Sequence, residues 1–92
     1  MMGMCYREAY RFLMKEGDWL VHGTIISPAD KREVNHAWVE FNSGWVWEPQ
    51  TEKFMRLSDF NTWFQPKVEA KYTAKEAAIL AVKNMHFGPW KQ

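Results

Sequence analysis

The sequence predicts an α+β domain in which an antiparallel sheet is accompanied by a helix near each end of the chain. Three features predict this class: a helical apolar stripe near the N-terminus, strand-like segments between residues 19 and 48, and a capped helix near the C-terminus. Strands grouped in the chain, with helices kept apart from them, are typical of α+β folds. With 92 residues the chain is predicted to form a single domain, residues 1–92.

The first predicted helix covers residues 5–16. Its apolar residues recur at i, i+4, i+7 and i+8 and therefore share one helix face; they are Cys5, Ala9, Phe12 and Leu13. Gly17 supplies a common signal for a helix end. Cys5 is thus predicted to lie in the first turn, facing the same way as the apolar stripe.

Three strands are predicted next, at residues 19–27, 34–41 and 45–48. The first is rich in β-branched residues, and the second alternates between its two faces. The residues predicted to share one face of the second strand are Val34, His36, Trp38 and Glu40. Pro49 ends the third strand, because proline cannot donate to a sheet.

The last part of the chain predicts a short helix, a strand and a final helix. Ser58 and Asp59 are read as the cap of the short helix, and residues 68–72 alternate as a strand. Thr73 followed by Glu76 forms a capping box for the final helix. Its predicted inner stripe consists of Ala77, Leu80, Ala81 and Asn84. The aromatic residues expected to pack this helix onto the sheet are Trp63, Phe64, Phe87 and Trp90.

Composition excludes several classes of protein. The formal charge of +1, without a basic run, argues against nucleic acid or an anionic membrane as a main partner. No apolar stretch is long enough for a transmembrane helix, and the first residues lack the pattern of a signal peptide. A single cysteine allows no internal disulfide, which predicts a cytoplasmic protein.

A zinc site is a weak alternative for the chain's cysteine and histidines. Cys5, His22, His36 and His86 lack the short paired spacings of common zinc sites, so no metal and no cofactor are expected. His22 and His86 are instead expected to face solvent or to cap a helix.

Cys5 is a candidate nucleophile because of its predicted position. A helix N-terminus stabilises the negative charge of a thiolate. The backbone N–H groups of Cys5 and its neighbours, if unpaired there, would also hold a developing oxyanion. The alternative is that Cys5 is simply a small buried hydrophobic residue at a helix start.

His36 and Glu48 extend this constellation to a possible catalytic triad. Histidine is the usual base for a thiol nucleophile, although a histidine within a strand is often structural. A three-residue turn at 42–44 with Gly44 at its end sets Val39 opposite Trp47 and puts Glu48 diagonal to His36 on the same face. Glu48 would then orient the imidazole, as the acidic member of a triad does. Otherwise it is an exposed carboxylate at a strand end.

The two segments that carry these residues resemble a known family. Residues 35–40 (NHAWVE) and 44–51 (GWVWEPQT) are similar to the core of transglutaminase-like proteins, which belong to the papain-like thiol enzymes. The family pattern is a Cys that opens a helix, His-Ala-Trp on a strand, and an acidic residue before a turn on the next strand. Cys5, His36 and Glu48 match that order, and the likeness covers about residues 4–51.

The chain departs from the family pattern at three points. The acidic residue is Glu48 where Asp is usual, the Cys-to-His spacing is short, and only four residues precede Cys5. The upstream segment that supplies a side-chain oxyanion donor in papain-like proteases is therefore expected to be missing. Trp19 or His22 is predicted to replace that donor, and Trp38 to contact substrate with them.

The resemblance implies a thiol-dependent acyl-transfer enzyme with a Cys-His-Glu triad, acting on a peptide or protein amide. Hydrolysis is favoured over transfer to an amine, because a short open site does little to exclude water. A catalytically inactive binding module on the same fold is the rival hypothesis. A nucleic-acid binder that uses the aromatic residues is a third, against which the near-neutral charge argues.

Overall fold

Three helices and one antiparallel sheet of five strands make up residues 2–90, the part of the chain that the computed structural model describes. In chain order the elements are α1 (Met2–Lys15), β1 (Trp19–Ile26), β2 (Glu33–Glu40), β3 (Trp45–Glu48), β4 (Lys53–Arg56), α2 (Leu57–Phe64), β5 (Lys67–Tyr72) and α3 (Ala74–Asn84). The predicted α+β class with an antiparallel sheet is confirmed.

The sheet leaves one half of β2 without a strand on its β3 side. The strands lie in the order β4-β3-β2-β1-β5. β1 pairs with β2 over its full length, from Trp19 opposite Glu40 to Ile26 opposite Glu33. β2 and β3, in contrast, are paired through Val39 with Trp47 and Glu40 with Val46, at one end of β2. The other end of β2 therefore extends past β3, and the two chains separate there.

Each face of the sheet is covered by helices and carries its own hydrophobic cluster. α1 and α3 pack on one face, where Leu13, Leu20 and Val39 are buried. α2 covers the other face, where Trp38 and Phe60 are buried. The alternation predicted for the second strand accounts for this arrangement, because successive residues of β2 enter opposite clusters.

Several element boundaries differ from the sequence prediction. α1 begins at Met2 rather than Cys5, and residues 53–56 form an edge strand, β4, that the sequence did not indicate. α2 begins at Leu57, and its cap residue Arg56 makes no side-chain capping bond. The capping box of α3 is confirmed, with Thr73 accepting from the Glu76 N–H and donating its own N–H to the Glu76 carboxylate.

The expectation that four aromatic residues join the last helix to the sheet is half wrong. Trp90 is buried in the cluster beneath α1 and α3, and Phe87 packs against it. Phe64, however, is buried on the opposite face of the sheet, and Trp63 is 68 % exposed. Adjacent residues of a helix point about 100° apart, so Trp63 and Phe64 cannot both face the same surface.

None of the helices within residues 2–90 is long and apolar enough to cross a membrane.

Candidate active site

Cys5 lies on the face of α1 that packs against the sheet. It is the fourth residue of the helix, and 8 % of its surface is exposed. Its thiol is hydrogen-bonded to His36 on β2. This contact joins residues that lie 31 positions apart in the chain. It depends on the packing of α1 across β2.

The earlier start of α1 corrects one expectation about Cys5. A helix leaves unpaired the N–H groups of its cap and its first three residues. With Met2 as the first helical residue, these groups precede Cys5, and the Cys5 N–H is not one of them. The backbone of Cys5 is therefore not a free oxyanion donor, and such a donor has to come from elsewhere in the site.

His36 and Glu48 form a buried hydrogen-bonded ion pair. The distance from His36 Nε2 to Glu48 Oε2 is 2.6 Å, and the two residues are 4 % and 0 % exposed. The predicted register is confirmed, since Val39 is opposite Trp47 and the Phe41 N–H donates to Trp45 O. Glu48 thus lies next to His36 on one face of the sheet, as the turn length predicts.

The carboxylate of Glu48 is held by the turn that follows it. Glu48 Oε2 accepts the Gln50 N–H at 2.9 Å, and Oε1 accepts the Thr51 N–H at 2.8 Å and the Thr51 hydroxyl at 2.9 Å. A buried charge is tolerated when it is paired and hydrogen-bonded. Here the turn fixes the carboxylate and leaves it directed at His36.

The protonation of the pair follows from these contacts. Burial by itself lowers the pKa of His36, but hydrogen bonds and negative charge from Cys5 and Glu48 outweigh it and raise the pKa to about 9. Burial alone raises the pKa of Glu48; hydrogen bonds from His36 and the turn backbone bring it below its ordinary value of 4.5. At neutral pH the ring is an imidazolium. Since Nε2 faces Glu48, Nδ1 is the nitrogen left for Cys5.

A cleft of about 560 Å³ opens beside Cys5. Its walls come from the start of α1, from the β1–β2 end of the sheet, and from β3 with the turn after it. The lining residues are Met4, Cys5, Glu8, Ile25, Ser27, Asp30, Val34, Trp47, Pro49, Gln50 and Glu52. The cleft forms where β2 extends past β3, so the thiol is buried against the sheet yet borders a space of substrate size.

The three predicted substrate contacts do not line this cleft. Trp38 is fully buried against Phe60, and its indole N–H donates to Glu40. The Trp19 indole donates to Asn42 at 3.0 Å. His22 is buried as well, on the opposite face from Trp38. The structure thus places these three side chains away from the cleft beside Cys5.

Trp47 and Gln50 are cleft residues that the sequence interpretation missed. They flank Glu48 in the chain, and both border the same space as Cys5. Trp47 is held by a parallel ring stack on Phe12, with the ring centroids 4.1 Å apart. The signal that could have found them is their position within two residues of Glu48, once the turn after the third strand was recognised as part of the site.

His22 is buried in an aromatic enclosure rather than facing solvent. It is 3 % exposed, and its ring centroid lies 4.8 Å from that of Tyr6, 5.2 Å from that of Tyr72 and 5.1 Å from that of Trp90. Within residues 2–90 its Nε2 has no hydrogen-bond partner. Burial lowers the pKa of His22 to about 4. His86, by contrast, is exposed, as expected, and its Nδ1 accepts the Gly88 N–H.

The buried His22 predicts a loss of stability in mild acid. Its pKa of about 4 in the folded chain lies below the ordinary 6.5, so the unfolded chain binds the proton more tightly between these values. We expect its contribution to cost about 2–3 kcal/mol on going from pH 7 to pH 4. Urea unfolding at several pH values measures this. A His22→Leu variant should show a flatter profile; an equally steep one would contradict the assignment.

Comparisons with known proteins give no relative for this chain. No protein-family model matches it, and neither a curated protein nor a solved structure does. Within residues 2–90, no group of three or more His, Cys, Asp or Glu residues is placed to hold a metal ion.

Proposed function

We propose that the protein is a thiol-dependent hydrolase of peptide or protein amides, built on a transglutaminase-like core. One observation carries the proposal: Cys5, His36 and Glu48 form a continuous hydrogen-bonded series whose thiol end borders a cleft. A thiol, an imidazole and a third group that orients the imidazole are the parts of an activated nucleophile. The proposed setting is the cytoplasm, because the chemistry needs a reduced thiol.

In the first proposed step, the Cys5 sulfur attacks the carbonyl carbon of the substrate. In the reactive form that we propose, the proton of the thiol is on His36, whose pKa of about 9 keeps the ring charged at neutral pH. As the tetrahedral intermediate collapses, the C–N bond breaks and His36 gives its proton to the departing amine. Glu48 holds the ring in place and stabilises its positive charge. The product is an acyl group in thioester linkage to Cys5.

In the second proposed step, water attacks the thioester. His36 takes a proton from the water, the carboxylic acid leaves, and the thiol is regenerated. Hydrolysis is proposed over transfer to an amine because the cleft is partly open to solvent, which gives water access to the acyl group.

The rival hypothesis is a catalytically inactive binding module. It would be favoured by a thiol out of reach of His36 or by the lack of a cleft. The hydrogen bond between Cys5 and His36 and the cleft beside the thiol support neither condition.

Gln50 is the proposed oxyanion donor. Its backbone is anchored by the hydrogen bond from its N–H to Glu48, and the residue lines the same cleft as Cys5. A side-chain amide carries N–H groups that can donate to the negative oxygen of the intermediate. This assignment supplies the donor that the Cys5 backbone does not.

The test follows acylation of Cys5 by a p-nitrophenyl ester, read as released nitrophenol and as an intact-mass increase of one acyl group. We expect one acyl group per chain with the unmodified protein, none with Cys5→Ala, and a rate lower on the order of 10²-fold with Gln50→Ala.

The matched control is alkylation of the same variants by iodoacetamide, a reaction in which no oxyanion develops. Gln50→Ala should react with iodoacetamide at the rate of the unmodified protein. A Gln50→Ala variant that acylates normally would remove Gln50 from the mechanism. An unmodified protein that neither takes up an acyl group nor releases nitrophenol faster than Cys5→Ala would refute the proposed function.

A further inference from the structure

The ionisable side chains that line the cleft beside Cys5, other than Cys5 itself, are all acidic. They are Glu8 on α1, Asp30 in the β1–β2 loop and Glu52 in the turn after β3. No Lys, Arg or His from the part of the chain that the structure describes is among the lining residues. Three separate segments thus contribute acidic residues to the lining of one cleft, although the whole chain is nearly neutral.

Two of these acidic residues have a cation close by. Glu8 is 3.4 Å from Arg7 in a half-buried pair, and Asp30 is 3.7 Å from Arg32 in an exposed pair. Exposed pairs contribute little, so Arg32 neutralises little of the charge of Asp30, whereas Arg7 offsets part of the charge of Glu8. Glu52 forms no ion pair with the residues that the structure describes. The charge of Glu48 does not add to the set, because it is balanced by His36.

The remaining walls are apolar and lie next to the nucleophile. Met4, Ile25, Val34, Trp47 and Pro49 line the same cleft as Cys5. A lysine or arginine side chain combines an apolar stem with a charged head, and such side chains place the stem on apolar surface and the head on polar groups. The cleft offers both surfaces within reach of the proposed reacting atom.

We infer that the cleft selects a substrate whose acyl part carries a positively charged side chain, that is, a peptide with Lys or Arg at the residue whose carbonyl Cys5 attacks. The inference rests on the proposed function for the reacting atom. Carboxylates around a partly enclosed space concentrate field lines and raise the local concentration of cations. Glu8 and Glu52 are the positions assigned to this selection, because they line the cleft from two separate segments, α1 and the turn after β3.

The charge of the cleft can be measured without any turnover, because Cys5 is the only cysteine. Methanethiosulfonate reagents transfer an alkylthio group to the Cys5 sulfur, which forms a disulfide, and release methanesulfinate. They exist with a cationic trimethylammonium end or an anionic sulfonate end. We expect the ratio of cationic to anionic rates to fall on the order of tenfold in the Glu8→Gln/Glu52→Gln variant. Since His36 is unchanged throughout, its charge cancels in this comparison.

Two controls complete the measurement. Glu16→Gln removes an exposed carboxylate that does not line the cleft and should leave the ratio unchanged. High salt should reduce the difference between the unmodified protein and the double variant. A ratio that the double variant changes by less than about twofold would overturn the inference.

A pair of esters tests directly whether the cleft prefers a positive charge on the acyl part of the substrate. The p-nitrophenyl esters of acetyl-arginine and acetyl-citrulline have the same shape, and only the first is charged. We expect the arginine ester to acylate Cys5 roughly tenfold faster, with the preference lost in the double variant. If both esters acylated Cys5 at equal rates, the inference about substrate charge would be overturned. The proposed function would still stand, because Cys5 would have been acylated. If neither ester acylated Cys5, the proposed function would fail, and the reagent ratio would still report the charge of the cleft.

Discussion

Replacing His36 by Ala is expected to slow acylation of Cys5 by roughly 10³–10⁴-fold. The variant lacks the group that takes the proton of the thiol. A p-nitrophenyl ester releases nitrophenolate, which leaves without a proton, so the ester rate reports the activation of the thiol by His36. At pH 7 its alkylation by iodoacetamide should also fall to the rate of a free cysteine or below, because the imidazolium that favours the thiolate is gone. Ester acylation and alkylation, measured side by side, check both expectations.

A second variant separates chemistry from folding in this experiment. His36→Ala leaves Glu48 as a buried charge without its partner and is expected to lose stability. His36→Gln keeps an N–H that can donate to Glu48 but cannot carry a proton or a positive charge. Both variants should be inactive, while His36→Gln retains more of the stability in urea unfolding. Activity near the unmodified level in a folded His36→Gln variant would rule out His36 as the base.

Replacing Glu48 by Ala is expected to lower the free energy of unfolding by about 3–5 kcal/mol. The change removes the acceptor for His36, for two backbone N–H groups and for the Thr51 hydroxyl, all in a fully buried position. A small domain has only about 5–15 kcal/mol of stability in total, so this variant is close to unfolding at 25 °C. Urea titration followed by Trp fluorescence measures the loss.

Glu48→Gln keeps the test quantitative if the Ala variant does not fold. Its amide oxygen still accepts hydrogen bonds, so the expected loss is about 2 kcal/mol. Glu16→Gln, an exposed carboxylate on the surface, should change stability by less than about 0.5 kcal/mol. If the free energy of unfolding of Glu48→Gln equalled that of the control, the buried His36–Glu48 pair would not contribute to stability as expected.

The same pair gives stability a defined dependence on pH. The pKa of His36 is raised to about 9 from 6.5, so its stabilisation is complete below pH 6.5 and is lost as the pH rises through 9. The pKa of Glu48 is lowered, so its stabilisation is present above pH 4.5 and is lost as the pH falls through the folded value. Glu48→Gln removes one of the two partners that raise the pKa of His36, the other being Cys5, so it should flatten the alkaline side of the profile in part and remove the contribution of Glu48 to the acid side.

His36 and Glu48 lie close together in the chain, on two strands joined by a short turn. The sequence predicts their pairing for that reason. Turn length and alternation alone determine that His36 and Glu48 share a face, and 12 residues separate them. The edge strand β4 gave no comparable signal. Its four residues are mostly exposed and so carry no apolar alternation.

The features that the sequence did not reveal depend on distant parts of the chain. The burial of His22 comes from Tyr6, Tyr72 and Trp90, which belong to three separate segments. Nothing in the residues around His22 indicates these neighbours. The cleft likewise needs α1, the β1–β2 end and the turn after β3 in their final positions. Local sequence patterns carry no information on these contacts. The contacts form only when distant segments, α1 among them, pack against the sheet.

The division of the site between a hairpin and a separate helix has a consequence for the newly made chain. The segment that holds His36 and Glu48 can assemble from neighbouring residues, whereas Cys5 reaches His36 only when α1 docks on β2. Closing the longer segment costs more chain entropy, so this contact is expected to form later. Until docking occurs, the cysteine has the reactivity of an ordinary thiol. The rate at which Cys5 is labelled therefore reports whether a given molecule has finished folding.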